Sequence, residues 1–259
     1  MGRRDPDDDY VLSFDRRGHD YNLAGEICPM AREAERAALL ERARLDRAQR
    51  LVDVPAGGGY VAHGVRARLA GDAEIICIEP SRRFGAGLRD AFTVYHEPMH
   101  AVSLPDASVD LVLSLAGLHH LSDRQAVFDE WARILRPGGQ VVVADVADAT
   151  PPAEFLNGFV DRFTPGGHAG RFLGETEFTT GLTASGLEVS EDVLEQVPWR
   201  FPDIDLLGRF CWQLFSCRLT TPAEVARGLA DVIGITNTDD GVQLNWQLQY
   251  AVATRPLPD

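Results

Sequence analysis

Leu51-Val52-Asp53-Val54-Pro55-Ala56-Gly57-Gly58-Gly59-Tyr60 is the stretch on which the fold turns. A short apolar run, Leu51–Val54, stops at Pro55 and three consecutive glycines, and a helix-forming segment, Tyr60–Leu69, follows. That order predicts a buried strand, a tight turn and a helix. Without Cβ atoms the glycines let backbone come close to a bound ligand. Downstream the alternation repeats. Glu74–Glu79 reads as a strand, Arg82–Ala91 as a helix, Val109–Leu115 as a strand and Asp123–Leu135 as an amphipathic helix. The turn Pro137-Gly138-Gly139 then leads into a strand at Gln140–Ala144. The strands are apolar runs rather than apolar/polar alternations, which indicates a parallel sheet covered on both faces, an α/β fold.

Outward from this block the pattern is less regular. Met30–Arg50 is rich in Ala, Leu, Glu and Arg and is expected to be helical. Residues 1–29, with Gly18, Asn22, Gly25 and Pro29, read as an irregular arm over the site. Beyond the block come expected helices at Ala153–Arg162 and Glu175–Ser185 and a strand at Leu187–Gln196. Two further helices, Ile204–Phe215 and Pro222–Ile233, precede a terminal strand, Gln243–Thr254. They lie where a cap would be inserted, about residues 198–236. Their aromatics (Phe201, Phe210, Trp212, Phe215) fit either core packing or a pocket wall.

The 259 residues suffice for one large domain without metals or disulfides. A formal net charge of −14 disfavours a nucleic-acid partner, which needs a basic stripe. All 25 basic residues are arginine, so a catalytic lysine is excluded. Cys28, Cys77, Cys211 and Cys217 have no metal-ligand spacing, and free thiols in a reducing compartment fit them. Neither an apolar leader nor an 18-residue apolar span is present in this sequence, and a cytoplasmic location without membrane contact is the expectation.

The glycine turn alone leaves the ligand open. Gly57-x-Gly59-x-x-Ala62 satisfies the dinucleotide pattern, and Glu79, 20 residues beyond Gly59, has the spacing of an acid that accepts bonds from ribose hydroxyls. That pattern serves any adenosine-bearing cofactor, and a nicotinamide-dependent oxidoreductase stays open on these residues.

Three further pieces follow: Leu104-Pro105-Asp106-Ala107-Ser108-Val109-Asp110-Leu111-Val112-Leu113-Ser114, Leu118-His119-His120-Leu121-Ser122-Asp123, and Arg133-Ile134-Leu135-Arg136-Pro137-Gly138-Gly139. With the Asp53 to Gly59 loop before them, they resemble the class I, Rossmann-like methyltransferases of the methyltransferase-11/UbiE-like type over about residues 45–147. The resemblance implies a doubly wound, mostly parallel seven-stranded sheet over residues 30–259, with a small helical cap before the last strand. It implies S-adenosyl-L-methionine as cofactor and a small-molecule methyl acceptor, with secondary metabolism as the setting.

By that resemblance Asp53, Pro55, Ala56, Gly57, Gly58 and Gly59 would hold the methionine moiety and Glu79 the ribose. Pro80 and Ser81, with His100 and Ala101, would border the adenine. Ser114 and Leu115 would lie near the sulfonium, with Tyr21 of the arm closing over it. Three positions depart from the family pattern. Pro55 stands in place of a first glycine, Gly58 in place of a commoner Thr, and His100 in place of an acid. Pro55 and His100 motivate a rival in which the same fold binds S-adenosylmethionine without transferring methyl. A nucleic-acid methyltransferase is disfavoured, because Ser114-Leu115-Ala116-Gly117 stands where an N/D-P-P-Y/F tetrapeptide would be.

Methyl transfer is an in-line displacement whose leaving thioether needs no proton, so catalysis is positioning plus deprotonation of a weak acceptor. Histidine suits that task, and His119, His120 and His168 are the candidate bases. No metal ligand set is expected. Oligomeric state is not legible in the sequence.

Overall fold

In the computed structural model, residues 7–69, 71–168 and 170–258 are described. The chain enters with helix α1 (Asp8–Ile27) and α2 (Glu33–Arg42). Strand β1 (Arg50–Asp53), helix α3 (Tyr60–Arg68) and strands β2 (Glu74–Ile78) and β3 (Thr93–Tyr95) follow. Then come β4 (Val109–Leu115), α4 (Gln125–Ile134) and β5 (Leu135–Asp145). Helix α5 (Pro151–Phe155) continues through a π turn, Leu156–Val160, into the short α6 (Asp161–Phe163). The chain closes with α7 (Glu177–Ala184), β6 (Glu188–Gln196), β7 (Trp199–Phe201), α8 (Ile204–Leu214), α9 (Pro222–Val232), β8 (Ile235–Thr238), β9 (Gly241–Leu244) and β10 (Gln247–Thr254).

Seven strands form one sheet in the order β3-β2-β1-β4-β5-β10-β6. Pairings from β3 to β5 are parallel, while β10 runs antiparallel to both β5 and β6. Successive side chains of a strand face opposite sides, and the core divides accordingly. Leu51, Ile75, Cys77, Leu111, Leu113 and Val142 pack on one face; Val52, Ile76, Ile78, Val112, Val141 and Val143 pack on the other. Burial of both faces is why these strands read as unbroken apolar runs. Strand order reverses between β1 and β4, and the carboxyl ends there open onto a crevice of the kind where ligands sit in open α/β sheets.

The amino-terminal segment is not an irregular arm from residue 8 onward. It forms a 20-residue helix. Tyr10, Phe14 and Gly18 recur at four-residue spacing and bury one face. Gly18 is there for contact rather than for bending: a Cβ would stand 2.8 Å from Cβ of Phe84. Residues 1–6 of the expected arm lie outside the described residues.

The expected helix at Arg82–Ala91 is also corrected. It is a series of turns with a 3-10 turn at Leu88–Asp90. Gly85 and Gly87 each cost a helix about 1 kcal/mol relative to Ala. The edge strand β3 went unread, since three residues carry too little periodicity. Met30–Arg50 shortens to α2 and a 3-10 turn, Leu45–Arg47. The expected last strand divides at Asn245-Trp246, and its first part joins β7 and β8 in a separate three-stranded sheet, β7-β9-β8. The insertion between β6 and β10 is therefore two helices plus a small antiparallel sheet. Among the described residues no helix is long and apolar enough to cross a membrane.

Candidate active site

The turn after β1 folds as its glycines require. Gly57 and Gly59 take φ of +53° and +89°, the left-handed region closed to most side chains. Gly57 N–H donates to Glu79 Oε2 at 2.8 Å, and Ser81 N–H donates to Glu79 Oε1 at 2.8 Å. The acid ending β2 is thus clamped to the turn ending β1. Asp53 accepts one bond, from Ala62 N–H at 3.0 Å, on Oδ2; its buried Oδ1 has no partner.

Helix α1 covers this cradle. Tyr10 Oη donates to Glu79 Oε2 at 2.8 Å, the atom a ribose hydroxyl would address. The Phe84 ring lies over Gly57, so that a Cβ there would be 2.8 Å from Cζ. Phe14 stacks on Phe84 at 4.6 Å with planes 7° apart, and Tyr21 meets Phe84 edge-on at 5.2 Å. Asn22 and Asp15 fasten the helix through Phe84 O (3.1 Å) and Ser81 Oγ (2.7 Å). Free space in the cradle is about 40 Å³, enough for a few waters but not for a nucleoside.

Burial pushes Glu79 up to about 7, despite the bonds from Tyr10, Ser81 and Gly57 that oppose it. Burial likewise pushes Asp53 up to about 8, only partly offset by the Ala62 amide. Both carboxyls ionise more readily in the unfolded chain. Between about pH 4.5 and 8 the folded state therefore holds more protons, and stability falls as pH rises through that window. At about 1.4 kcal/mol per pKa unit, Glu79 alone carries roughly 3 kcal/mol. The melting temperature is expected to fall from pH 5 to pH 8.5, with a shallower fall in Glu79→Gln. Equal slopes in a thermal-shift series would contradict this assignment.

Across the crevice, β4 ends at Leu115, and Ala116 holds φ +56°, uncommon for a residue other than glycine and frequent near functional sites. The 3-10 turn Leu118–His120 follows. His119 Nδ1 lies 2.6 Å from Oδ1 of Asp145, the last residue of β5. Asp145 also accepts from Leu118 N–H (2.7 Å), His119 N–H (3.1 Å) and Val146 N–H (2.6 Å). Burial alone would raise Asp145; His119 and these amides outweigh it and hold the carboxyl below its ordinary value.

His168 comes from the loop after α6, its Nδ1 3.1 Å from Asn157 Oδ1 in the π turn. His120 Nε2 lies 3.3 Å from Arg17 Nη2. Burial lowers both imidazoles well below the usual value, for His120 with the charges of His119 and Arg17 adding to it and for His168 with those of Arg17 and His119, so both are neutral at pH 7. One ring nitrogen from each of the three histidines lies within 4.8 Å of the others. The Arg17 guanidinium, 3.3 Å from His120 Nε2, adds a positive charge beside them. They face a cavity walled by Trp199, Trp246, Phe215 and Leu156.

Of the residues expected at the cofactor, Tyr21, Pro55, Ala56, Gly57, Gly58 and Leu115 line the cradle. Asp53, Gly59 and Glu79 shape it from behind. Ser114 is buried with its Oγ unpartnered. Pro80, His100 and Ala101 lie outside the cradle walls; Ala101 is exposed, and His100 Nδ1 sits 3.5 Å from Asp7 Oδ1. All three candidate bases come together. Sequence reasoning missed Tyr10, Phe84, Arg17, Asp145 and Asn157. Only Tyr10 carried a signal, its spacing of four from Phe14.

The sheet order and its flanking helices are those of the class I, Rossmann-like methyltransferase fold. More particularly, residues 52–143 match the methyltransferase-11 family, a methyltransferase domain. The chain is similar to 27-O-demethylrifamycin SV methyltransferase of Amycolatopsis mediterranei, 33% identical over 113 residues, which are 40% of this chain and 41% of that one. The first curated relatives are matched over only 41% to 58% of their length. Among solved structures, a possible histamine N-methyltransferase of Thermotoga maritima has a TM-score of 0.65 at 16% identity, covering 94% of this chain and 99% of that one. The [4+2]-cyclase SpnF has a TM-score of 0.58 at 19% identity, covering 86% and 80%. These structural likenesses establish the fold, and the dinucleotide-like pattern at Gly57 falls inside a methyltransferase domain.

Proposed function

We propose that the chain is an S-adenosylmethionine-dependent methyltransferase for a small-molecule acceptor, with His119 as general base. The observation that carries the proposal is the His119–Asp145 pair, facing an aromatic cavity beside the glycine cradle. The matched methyltransferase domain and a relative named for a small-molecule O-methylation support it.

The residues of the cradle fit the cofactor in kind. Asp53 Oδ1 is a buried polar atom without a partner, and Glu79 offers oxygens already aligned by two backbone amides. Gly57 to Gly59 admit close approach. When bound, S-adenosylmethionine supplies an electrophilic methyl group on a sulfonium. The chain's own work is then to orient the acceptor and remove its proton. Asp145 fixes His119 with Nδ1–H toward the carboxylate, leaving Nε2 to accept the acceptor's proton, and it stabilises the imidazolium that forms. His120 and His168, held neutral, add hydrogen-bonding capacity without competing charge.

Entry of the cofactor requires Tyr10, Phe14 and Phe84 to leave the cradle. Calorimetry with S-adenosylhomocysteine tests this. Wild type is expected to bind, and Tyr10→Phe to bind about tenfold more tightly, since a hydrogen bond to a carboxylate worth about 1.5 kcal/mol no longer holds the closed form. No binding by wild type, Tyr10→Phe or Phe14→Ala at millimolar ligand would sink the donor reading. The filled cradle then favours the second reading, a protein of this fold that does not transfer methyl; fold alone does not fix chemistry.

A further inference from the structure

Arg17 stands apart from the other charged residues of the crevice. It projects from α1 between two cavities, the aromatic one beside His119 and a wider one of about 420 Å³ that reaches toward Gly166 and Gly167. Among the described residues no carboxylate pairs with it; its one hydrogen-bond partner is His120 Nε2, and its guanidinium lies 5.3 Å from the Phe14 ring. Asp20, which shares a cavity wall with Arg17, is committed elsewhere. Arg218 reaches it at 2.6 Å, and Ser216 and Gln213 each donate to it at 2.9 Å. In a chain with 39 acidic residues against 25 basic ones, a partly buried guanidinium left without an acid is an anomaly that needs a cause.

A buried charge without a counterion is costly. Burial draws Arg17 down to about 10, still far above neutral, so the charge persists at pH 7. The neighbouring imidazoles are neutral and cannot balance it. A planar carboxylate could: guanidinium forks match carboxylates in geometry and in charge, one against one.

We propose that Arg17 is the anchor for a carboxylate on the acceptor, whose apolar or aromatic body enters beside Trp199, Trp246 and Phe215 as that cavity, about 50 Å³ in this closed form, widens. This rests on the methyltransferase reading for the word acceptor, though not for the anion site itself. The methylated atom is a separate hydroxyl or amine turned toward His119, and the carboxylate is a handle. The wider cavity is the approach: its wall carries Arg16, Arg17 and Arg218 against Asp9 and Asp20, with Arg218 paired to Asp20, so a net positive wall on an otherwise acidic protein draws an anion inward.

Benzoate and benzamide, equal in size and different in charge, are the probes, titrated by ligand-observed NMR. Wild type is expected to bind benzoate at least tenfold more tightly than benzamide. Arg17→Met is expected to bind both equally, and Arg17→Lys to retain part of the preference. Equal affinities in wild type, a preference that survives in Arg17→Met, or no binding of either probe at millimolar concentration overturns the proposal. S-adenosylhomocysteine titrated into the same folded samples separates the two ideas. A benzoate preference without nucleoside binding keeps the anion site and discards the methyltransferase; the reverse result keeps the enzyme and discards the anchor.

Discussion

Asp145→Asn is expected to slow methyl transfer by about 10²–10⁴-fold while leaving S-adenosylhomocysteine affinity unchanged. The range is what a positioned general base contributes, and an Asp-to-Asn change behind a histidine base acts by presenting the wrong tautomer. Here the carboxylate holds Nδ1 of His119 at 2.6 Å and three backbone amides besides. An amide in its place turns an N–H toward one of those donors and lets the ring rotate. His119→Ala should lose as much, and the double variant no more than either alone, since the two residues act as a unit. The measurement is transfer of labelled methyl from S-adenosylmethionine into an acceptor fraction that wild type labels. If Asp145→Asn and His119→Ala both keep near-normal rates, no base operates here and positioning alone carries the reaction.

Arg32→Met is expected to cost about 3–5 kcal/mol of stability, the scale for stranding one partner of a buried ion pair. Glu35 on α2 is fully buried, and Arg32 meets its Oε1 at 2.5 Å. Trp199 Nε1 donates to the other oxygen at 2.9 Å. Burial drives the Glu35 carboxyl up and the Arg32 charge opposes that rise. The same guanidinium lies over the rings of Tyr21, Tyr60 and Trp199 at 5.1 to 5.3 Å. It therefore joins α1, α3 and the inserted sheet around one acid. At about 2–4 °C per kcal/mol, a drop near 10 °C in melting temperature should follow. Arg32→Met with Glu35→Gln should recover part of it, because the stranded charge is gone. A loss under about 1 kcal/mol would show that water reaches Glu35 and that the pair is not truly buried.

The sheet was legible because its strands are buried on both faces. Val109–Leu115 is read to the residue, and β1 and β2 to within one. The glycine turn was legible because the φ of Gly57 and Gly59 admits few other residues, and Glu79 because it ends the next strand twenty residues on. What escaped reading is what depends on tertiary contact. Nothing local in Gly18 says that it touches Phe84, and the glycines of α1 imitated a loop. Asp145 is one acid among 39 in the sequence, and only the fold brings it to His119, 26 positions earlier. Asn157 and Arg17 are similarly anonymous until the π turn and α1 bring them to the crevice. The inserted sheet was missed because β7, β8 and β9 are three or four residues long, too short for a period to register.

Helix α1 lies against both halves of the crevice at once, with Tyr10 and Phe14 at the glycine cradle and Arg17 and Asp20 at the wider cavity. Two ligands that each need the same rod to shift do not bind independently. Whichever arrives first bears most of the work of moving it, and the second finds the doorway already ajar. Such coupling is reciprocal by thermodynamic necessity. One helix can thus make donor and acceptor cooperative with no contact between them.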